Sequence, residues 1–363
     1  MLFKRMNKRN FISSVVLVVA LGVFSVISKG NMQLPKLLNT IFIYAIAALA
    51  LNVVCGCLGE FALGHGGFLL IGYTTAVIIS RFLNENIDPT FFYEKIFTTL
   101  GSELHFLGYV LVIVIVIVAA IVTGLIGLAV GAIALGRLKG DYLAIVTLGI
   151  SLIFVNICNN SKFLGNNGIG ITISTVWKTP PILNYIFLVL VVILILVFMK
   201  TRFGRAILAC RDDNIAAEAC GVAVNKTKVL AFTFASFIAG IAGGLLAFVT
   251  PSTPSSFGQD FSILFLIIIV LGGLGSLTGS ILASVVIVLY NQWFCNLEIV
   301  PDFFSNYPKI LYGVVLVLIM LFRSNGILGN SEFTWNWFYS KLNLLWKRIN
   351  GVFSKKAPKE VEK

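Results

Sequence analysis

Long apolar runs separated by short polar breaks set the pattern of this chain. A helix needs about 20 mainly apolar residues to cross a bilayer core. On that rule the sequence predicts ten spans, at 11–28, 37–54, 61–80, 107–128, 142–158, 182–199, 229–249, 261–274, 280–295 and 309–322. Only Gly56 to Glu60 divides the second from the third, and only the glycines near 275 divide the eighth from the ninth. Several runs fall short of the rule, so the helices are expected to extend into their loops. The expected fold is an all-α polytopic membrane protein, with a basic N-terminus (1–10), a transmembrane domain (11–322) and a tail (323–363). MLFKRMNKRN ahead of an apolar run resembles the start of a signal peptide, but no small-residue cleavage site closes it, so the first run is read as an uncleaved helix.

The polar positions are as informative as the apolar ones. Lys200 to Lys228 forms an island between two long apolar runs. Within it Asp212 and Asp213 precede IAAEAC and can cap a first helical turn, while Gly221 sits where a helix usually stops. Ile215, Ala219 and Val222 recur at i, i+4 and i+7, giving a small apolar face from which Glu218 points away. Such a knob suits a groove on another protein, with Asp212, Asp213, Ile215, Ala216, Glu218, Ala219 and Gly221 as its docking residues. A plain basic loop that only fixes membrane orientation is the alternative.

Composition agrees with the membrane reading. Of 363 residues 58% are hydrophobic and 12% charged, which excludes an ordinary soluble protein. The net charge of +12 does not point to nucleic acid, because the bases lie at segment ends and in the tail. Placing the N-terminus in the cytoplasm puts 20 basic residues inside and 7 outside, and an even number of spans then returns the C-terminus and the 200–228 loop to the cytoplasm. In the tail, Trp335, Trp337, Phe338, Leu342, Leu345 and Trp346 can line one helical face at the headgroup level, an interfacial anchor in the lipid bilayer. The six cysteines show no CxxC and fall mostly inside apolar runs, so neither a metal site nor a disulfide is expected.

Catalytic chemistry is not encoded in any recognisable pattern. The chain has no GxxxxGK[ST] phosphate loop, so ATP, if used, is bound by another chain. Only His65 and His105 are present, and neither has a motif partner. Glycine crowds two regions, 56–72 and 272–279, while Gly275xxxGly279 and Gly127xxxGly131 have the spacing for close helix packing. Glycines also permit interrupted helices whose ends line a pathway. Glu60 and His65 lie among the first cluster, where a charge at the centre of a span costs at least ~3 kcal/mol. They are expected to face water, a partner or the interface. On an ideal helix they point nearly opposite ways, so a direct pair would need a bent backbone. With Asn156 and Asn167 from the polar cluster near the outer face, Glu60 and His65 are the candidate translocation-pathway residues.

Three stretches resemble one family: RFGRAILACRDDNIAAEACGVAVNKTKVLAF from Arg202, LNVVCGCLGEFALGHGGFLLIGYTTAVI from Leu51, and VLGGLGSLTGSILASVVIVL from Val270. They are collinear and look like the LivM-type permeases, the membrane subunits of branched-chain amino acid ABC importers. RLKGDYLAIVTLGI, NNGI and LFRSNGILG match more weakly. The resemblance implies a homologous second permease subunit, two cytoplasmic ATPase subunits docked on the loops, and an external substrate-binding protein. It also implies the cytoplasmic membrane of a prokaryote, with no cofactor in this chain. Where the family often has a neutral amide and a serine, this chain has Glu60 and Ala62, a departure that bears on substrate. Urea or a short-chain amide in the same architecture is the alternative. An ion-coupled secondary transporter would need coupling carboxylates in the core, and Glu60 is the one candidate.

Overall fold

The computed structural model describes residues 33–86, 102–135, 140–161 and 179–292, with positions 313, 314, 317 and 321. The expected first and last spans, the amphipathic tail and Asn167 lie outside those residues, apart from these four positions of the last span. The regular elements among the described residues are all helices. The helices are α1 (Gln33–Asn52), α2 (His65–Asn86), α3 (Ser102–Ala134), α4 (Asp141–Asn160), α5 (Pro181–Lys200), α6 (Arg202–Asp212), α7 (Asn214–Ala219), α8 (Val224–Ala247), α9 (Gln259–Gly272) and α10 (Leu277–Gln292). Six are long and apolar enough to cross a membrane: α1 with its continuation to Leu58, α2, α3, α4, α5 and α8. They coincide with the second to seventh expected spans. The eighth and ninth correspond to α9 and α10, which are shorter.

Two helices form the centre. α1 runs without a break into a π-helical turn, Val53–Leu58, and both are buried almost throughout. α8 packs against α1, α2 and α3, and small residues make that possible. Gly72 of α2 lies so close to Gly240 that a Cβ there would stand 2.6 Å from its carbonyl oxygen. The expected Gly127xxxGly131 stripe of α3 does meet a helix: Gly127 faces Ser236 and Gly131 faces Phe232, both on α8. Without a hydrophobic force between helices in lipid, such close backbone approach supplies the packing energy. Buried hydroxyls in these helices bond to their own turns, as Thr123 Oγ1 does to Ala119 O at 2.7 Å and Ser236 Oγ to Phe232 O at 2.9 Å. Outward, α3, α4 and α5 expose an apolar belt that includes Leu125, Ile133, Ile145, Ile153, Ile186 and Val197.

The hairpin of α9 and α10 is held by one amide. With 14 and 16 residues, these helices are about 21 and 24 Å long, less than the ~30 Å of a bilayer core. Their connection therefore folds against protein. Asn52, fully buried at the end of α1, accepts from Gly275 N at 2.8 Å and donates to Ser276 O at 3.0 Å and Ser280 Oγ at 3.2 Å. Beside it, Gly56 lies against the Gly275 backbone so closely that any Cβ would overlap it. Of the expected Gly275xxxGly279 pair, Gly275 lies in the turn between the two helices, φ 89°, and Gly279 on α10 makes the close helix approach, packing on Gly272 of α9. At the hairpin's other end Gln292 Nε2 donates to Thr40 Oγ1 at 3.1 Å, returning α10 to the start of α1.

Replacing Asn52 with Ala removes the acceptor of the Gly275 N–H in a buried setting and one of the donors to the Ser276 carbonyl, which keeps Ser280 N and Ser280 Oγ. A loss of about 1–3 kcal/mol is expected, read as a lower Tm of the purified protein in detergent. An unchanged Tm would show that the hairpin tip does not depend on this amide.

Candidate functional site

The polar island folds as two short helices whose ends are chemically specified. Thr201 caps α6 by accepting from Gly204 N at 3.4 Å. Asp213 caps α7: its Oδ1 accepts from Ile215 N at 2.8 Å and Ala216 N at 3.2 Å. Asp212, expected to share that role, is instead the last residue of α6 and is exposed. α7 ends as its sequence predicts. Gly221 has φ 84°, donates to Glu218 O at 2.9 Å, and lets Val222 N donate to Ala217 O at 3.0 Å. These two bonds form a Schellman motif, which favours glycine because other residues pay for the left-handed backbone. α7 rests on the buried Ala217, while Ile215, Ala216, Glu218 and Ala219 face outward. Ile215 is 81% exposed, a large apolar side chain with no cover among the described residues.

Behind this knob the island grips the break after α1. Residues 59–64 are not helical, and Gly59 closes the π-helical turn in a left-handed conformation, φ 81°. Its Cα faces the aliphatic stem of Arg211, 3.2 Å from where a Cβ would stand. One residue on, Glu60 Oε1 accepts a short hydrogen bond from Lys228 Nζ in an ion pair whose side chains are 11% and 5% exposed. Lys228 sits on the second turn of α8 and also faces Cys210 of α6. Burial pushes the Cys210 thiol pKa up, and the nearby ammonium opposes that shift. Thus α6 and α8 hold residues 59 and 60 from two sides. A direct pair of Glu60 with His65 does not form, because residues 59–64 leave the helix and carry Glu60 to Lys228.

His65 begins α2 and is buried. Its neighbours show that α2 starts within the helical bundle: Leu63 N donates to Thr147 Oγ1 at 3.2 Å, and Gly67 packs on Ser151. Those are the seventh and eleventh residues of the 20-residue α4. Gly66 N donates to Ser262 Oγ of α9 at 3.0 Å. An unwound segment thus leads from the level of the polar island into the interior, its backbone groups met by side chains of α4 and α9. Asn156 stands apart from this cluster; it is exposed on α4 and its amide donates to Leu152 O at 2.9 Å.

Sequence reasoning missed Lys228, Asn52, Thr147, Ser151 and Ser262. Lys228 counted only as one more basic residue of a loop, although its place directly before the apolar run VLAFTFA was a signal that it enters the bundle. The hydroxyls and the amide carry no motif.

Comparison with known proteins shows the family. Residues 33–320 match the model described as branched-chain amino acid transport system, permease component. The chain belongs to that permease family. Two relatives named high-affinity branched-chain amino acid transport system permease protein LivM, from Salmonella typhimurium and Escherichia coli, are each 31% identical over 88% of this chain and 75% of their own length. BraD of Pseudomonas aeruginosa, named as a permease protein of the same kind of system, is 24% identical over 80% of this chain and 92% of its own. No solved structure matches. Membership makes the chain a multi-pass membrane permease, in accord with its six apolar helices. In this permease the buried ion pair joins two of the three stretches that carried the resemblance, those from Leu51 and from Arg202.

Removing one partner of a buried ion pair strands the other charge. Glu60→Leu or Lys228→Met alone is expected to cost about 3–5 kcal/mol, whereas the two together should recover most of it. Thermal unfolding of the four proteins in detergent measures this. Additive losses in the double variant would mean that the two residues act separately.

Proposed function

We propose that this chain is a membrane-spanning subunit of an ABC importer that carries leucine, isoleucine and valine across the cytoplasmic membrane of a prokaryote. It works with a homologous second permease subunit, two cytoplasmic ATPase subunits that bind the ATP, and an external substrate-binding protein. The N-terminus, the 200–228 island and the C-terminus face the cytoplasm. The observation that carries the reading is α7, a capped helix of six residues that presents Ile215 and Ala219 outward in a permease of this family. Asp213 and Gly221 fix its two ends, and Glu218 supplies charge at the rim of the ATPase groove.

Energy reaches the pathway through short rigid links. Closure of the ATPases displaces α7, and α6 and α8 move with it because each joins α7 through only a few residues. Arg211 over Gly59 and Lys228 on Glu60 pass the displacement to the unwound segment. That segment leads to His65, so Glu60 and His65 border the route that opens alternately to either side. Two rigid ends with an unwound middle suit alternating access, since a few non-helical residues absorb the dihedral changes.

The reading is tested by reconstitution. Proteoliposomes with this chain alone should neither hydrolyse ATP nor concentrate leucine, and both should appear when the ATPases, second permease and binding protein are added. Uptake by this chain alone under an ion gradient would replace the reading with a secondary transporter. At α7, Ala219→Trp overfills the groove, Glu218→Lys reverses a charge, and Gly221→Val pays roughly 1 kcal/mol for its backbone. All three should insert normally yet lose ATPase co-purification or uptake, and normal binding and uptake in all three would make the island a plain basic loop.

A further inference from the structure

The start of α2 lies inside the bundle, and polar groups around it are incompletely used. Ser151 of α4 is 3% exposed and its hydroxyl has no hydrogen-bond partner among the described residues. A Cβ on Gly67 would stand 2.7 Å from the Ser151 Cα and 2.8 Å from its Oγ, which places the hydroxyl directly beside the first turn of α2. His65, the first residue of that turn, is equally buried and its Nε2 has no partner among the described residues. Ser262 Oγ of α9 completes the group by accepting from Gly66 N at 3.0 Å. Buried polar atoms are almost always paired, and an orphan in a native structure calls for an explanation. Here two orphans flank one helix N-terminus.

We propose that this cluster holds the α-carboxylate of the amino acid during its passage. A helix N-terminus turns N–H donors and positive potential toward whatever it faces. In transporters with interrupted helices, such ends meet anionic groups of the solute near the middle of the membrane. The Ser151 hydroxyl and His65 Nε2 supply further donors, and Ser262 Oγ occupies the place that a carboxylate oxygen takes on Gly66 N. The site is closed in this conformation. A Cβ on Gly66 would stand 2.6 Å from Phe257 O and 2.7 Å from Ser262 Oγ, so the Pro254–Phe257 turn and α9 must part from α2 to admit solute. The charge of Lys228 is committed to Glu60, which leaves carboxylate recognition to neutral donors. Glycine at 66 and 67 keeps the turn open to close approach.

The inference rests on the amino-acid importer reading, and one experiment separates the two. The complete importer, in proteoliposomes with leucine-loaded binding protein, is assayed for leucine uptake and for binding-protein-stimulated ATP hydrolysis. Ser151→Ala and Ser262→Ala are each expected to lower uptake about fivefold, the effect of losing one hydrogen bond, while stimulated hydrolysis stays within about twofold of the parent. Ser236→Ala, which deletes a buried hydroxyl bonded to its own helix, should change neither. Undiminished uptake in both variants, or a parallel fall of uptake and hydrolysis, overturns the carboxylate site. An unmodified importer that hydrolyses ATP but moves no branched-chain amino acid overturns the parent reading, and the site with it.

Discussion

A peptide group that leaves a helix inside a membrane finds no water there, so a neighbouring side chain has to satisfy it. This constraint governs the centre of the molecule. Among the described residues, helix gives way between apolar helices at 59–64 and at 273–276. Thr147 and Ser262 meet the backbone of the first break or its edge, and Asn52 meets that of the second. Helices α4, α9 and α1 are therefore fixed in place by what they satisfy as well as by what they bury. The glycines follow from the same need, since a side chain must come close to the backbone it serves. Gly56 against Gly275 is the clearest case, because any Cβ there would displace the Asn52 amide.

The buried ion pair gives the first break its direction. Glu60 could not lie between two apolar helices uncompensated, and its partner comes from the element that follows the polar island. A structural anchor and a mechanical connection are therefore the same contact. Arg211 presses on Gly59 from α6 while Lys228 holds Glu60 from α8, so in the proposed mechanism a displacement of the island carries residues 59 and 60 with it. Beyond them the unwound residues reach the start of α2, where the Ser151 hydroxyl and His65 Nε2 have no partner among the described residues. Function is read here from three neighbouring features: an exposed knob, a buried clasp and a helix start flanked by two side-chain atoms with no partner among the described residues.

The sequence made the long helices and the knob legible because both are written in local patterns. Apolar runs near 20 residues located six spans, and an aspartate, a small-residue run and a glycine located α7 and both its ends. Long-range pairings were not legible. Glu60 and Lys228 are separated by 168 residues, and Asn52 and Gly275 by 223, so neither pairing leaves a periodic trace. The Gly275xxxGly279 spacing was half informative, because glycine serves both tight turns and helix packing: Gly275 takes the turn and Gly279 the close approach to Gly272. Glu60 was recognised as needing water, a partner or the interface, and helical geometry spoke against a pair with His65, but the unwinding of 59–64 that brings it to Lys228 leaves no local pattern to name that partner.

The central claim is that the island and the break move as one body. Spin labels on cysteines introduced at Phe61 and Lys226, in an importer with its native cysteines replaced, report that distance directly; a second pair at Phe61 and Ile145 relates the break to α4. Both are measured by pulsed electron resonance in the complete complex, nucleotide-free and with ATP bound. The account predicts an unchanged 61–226 distance and a shifted 61–145 distance. A 61–226 distance that changes while 61–145 stays fixed would contradict it.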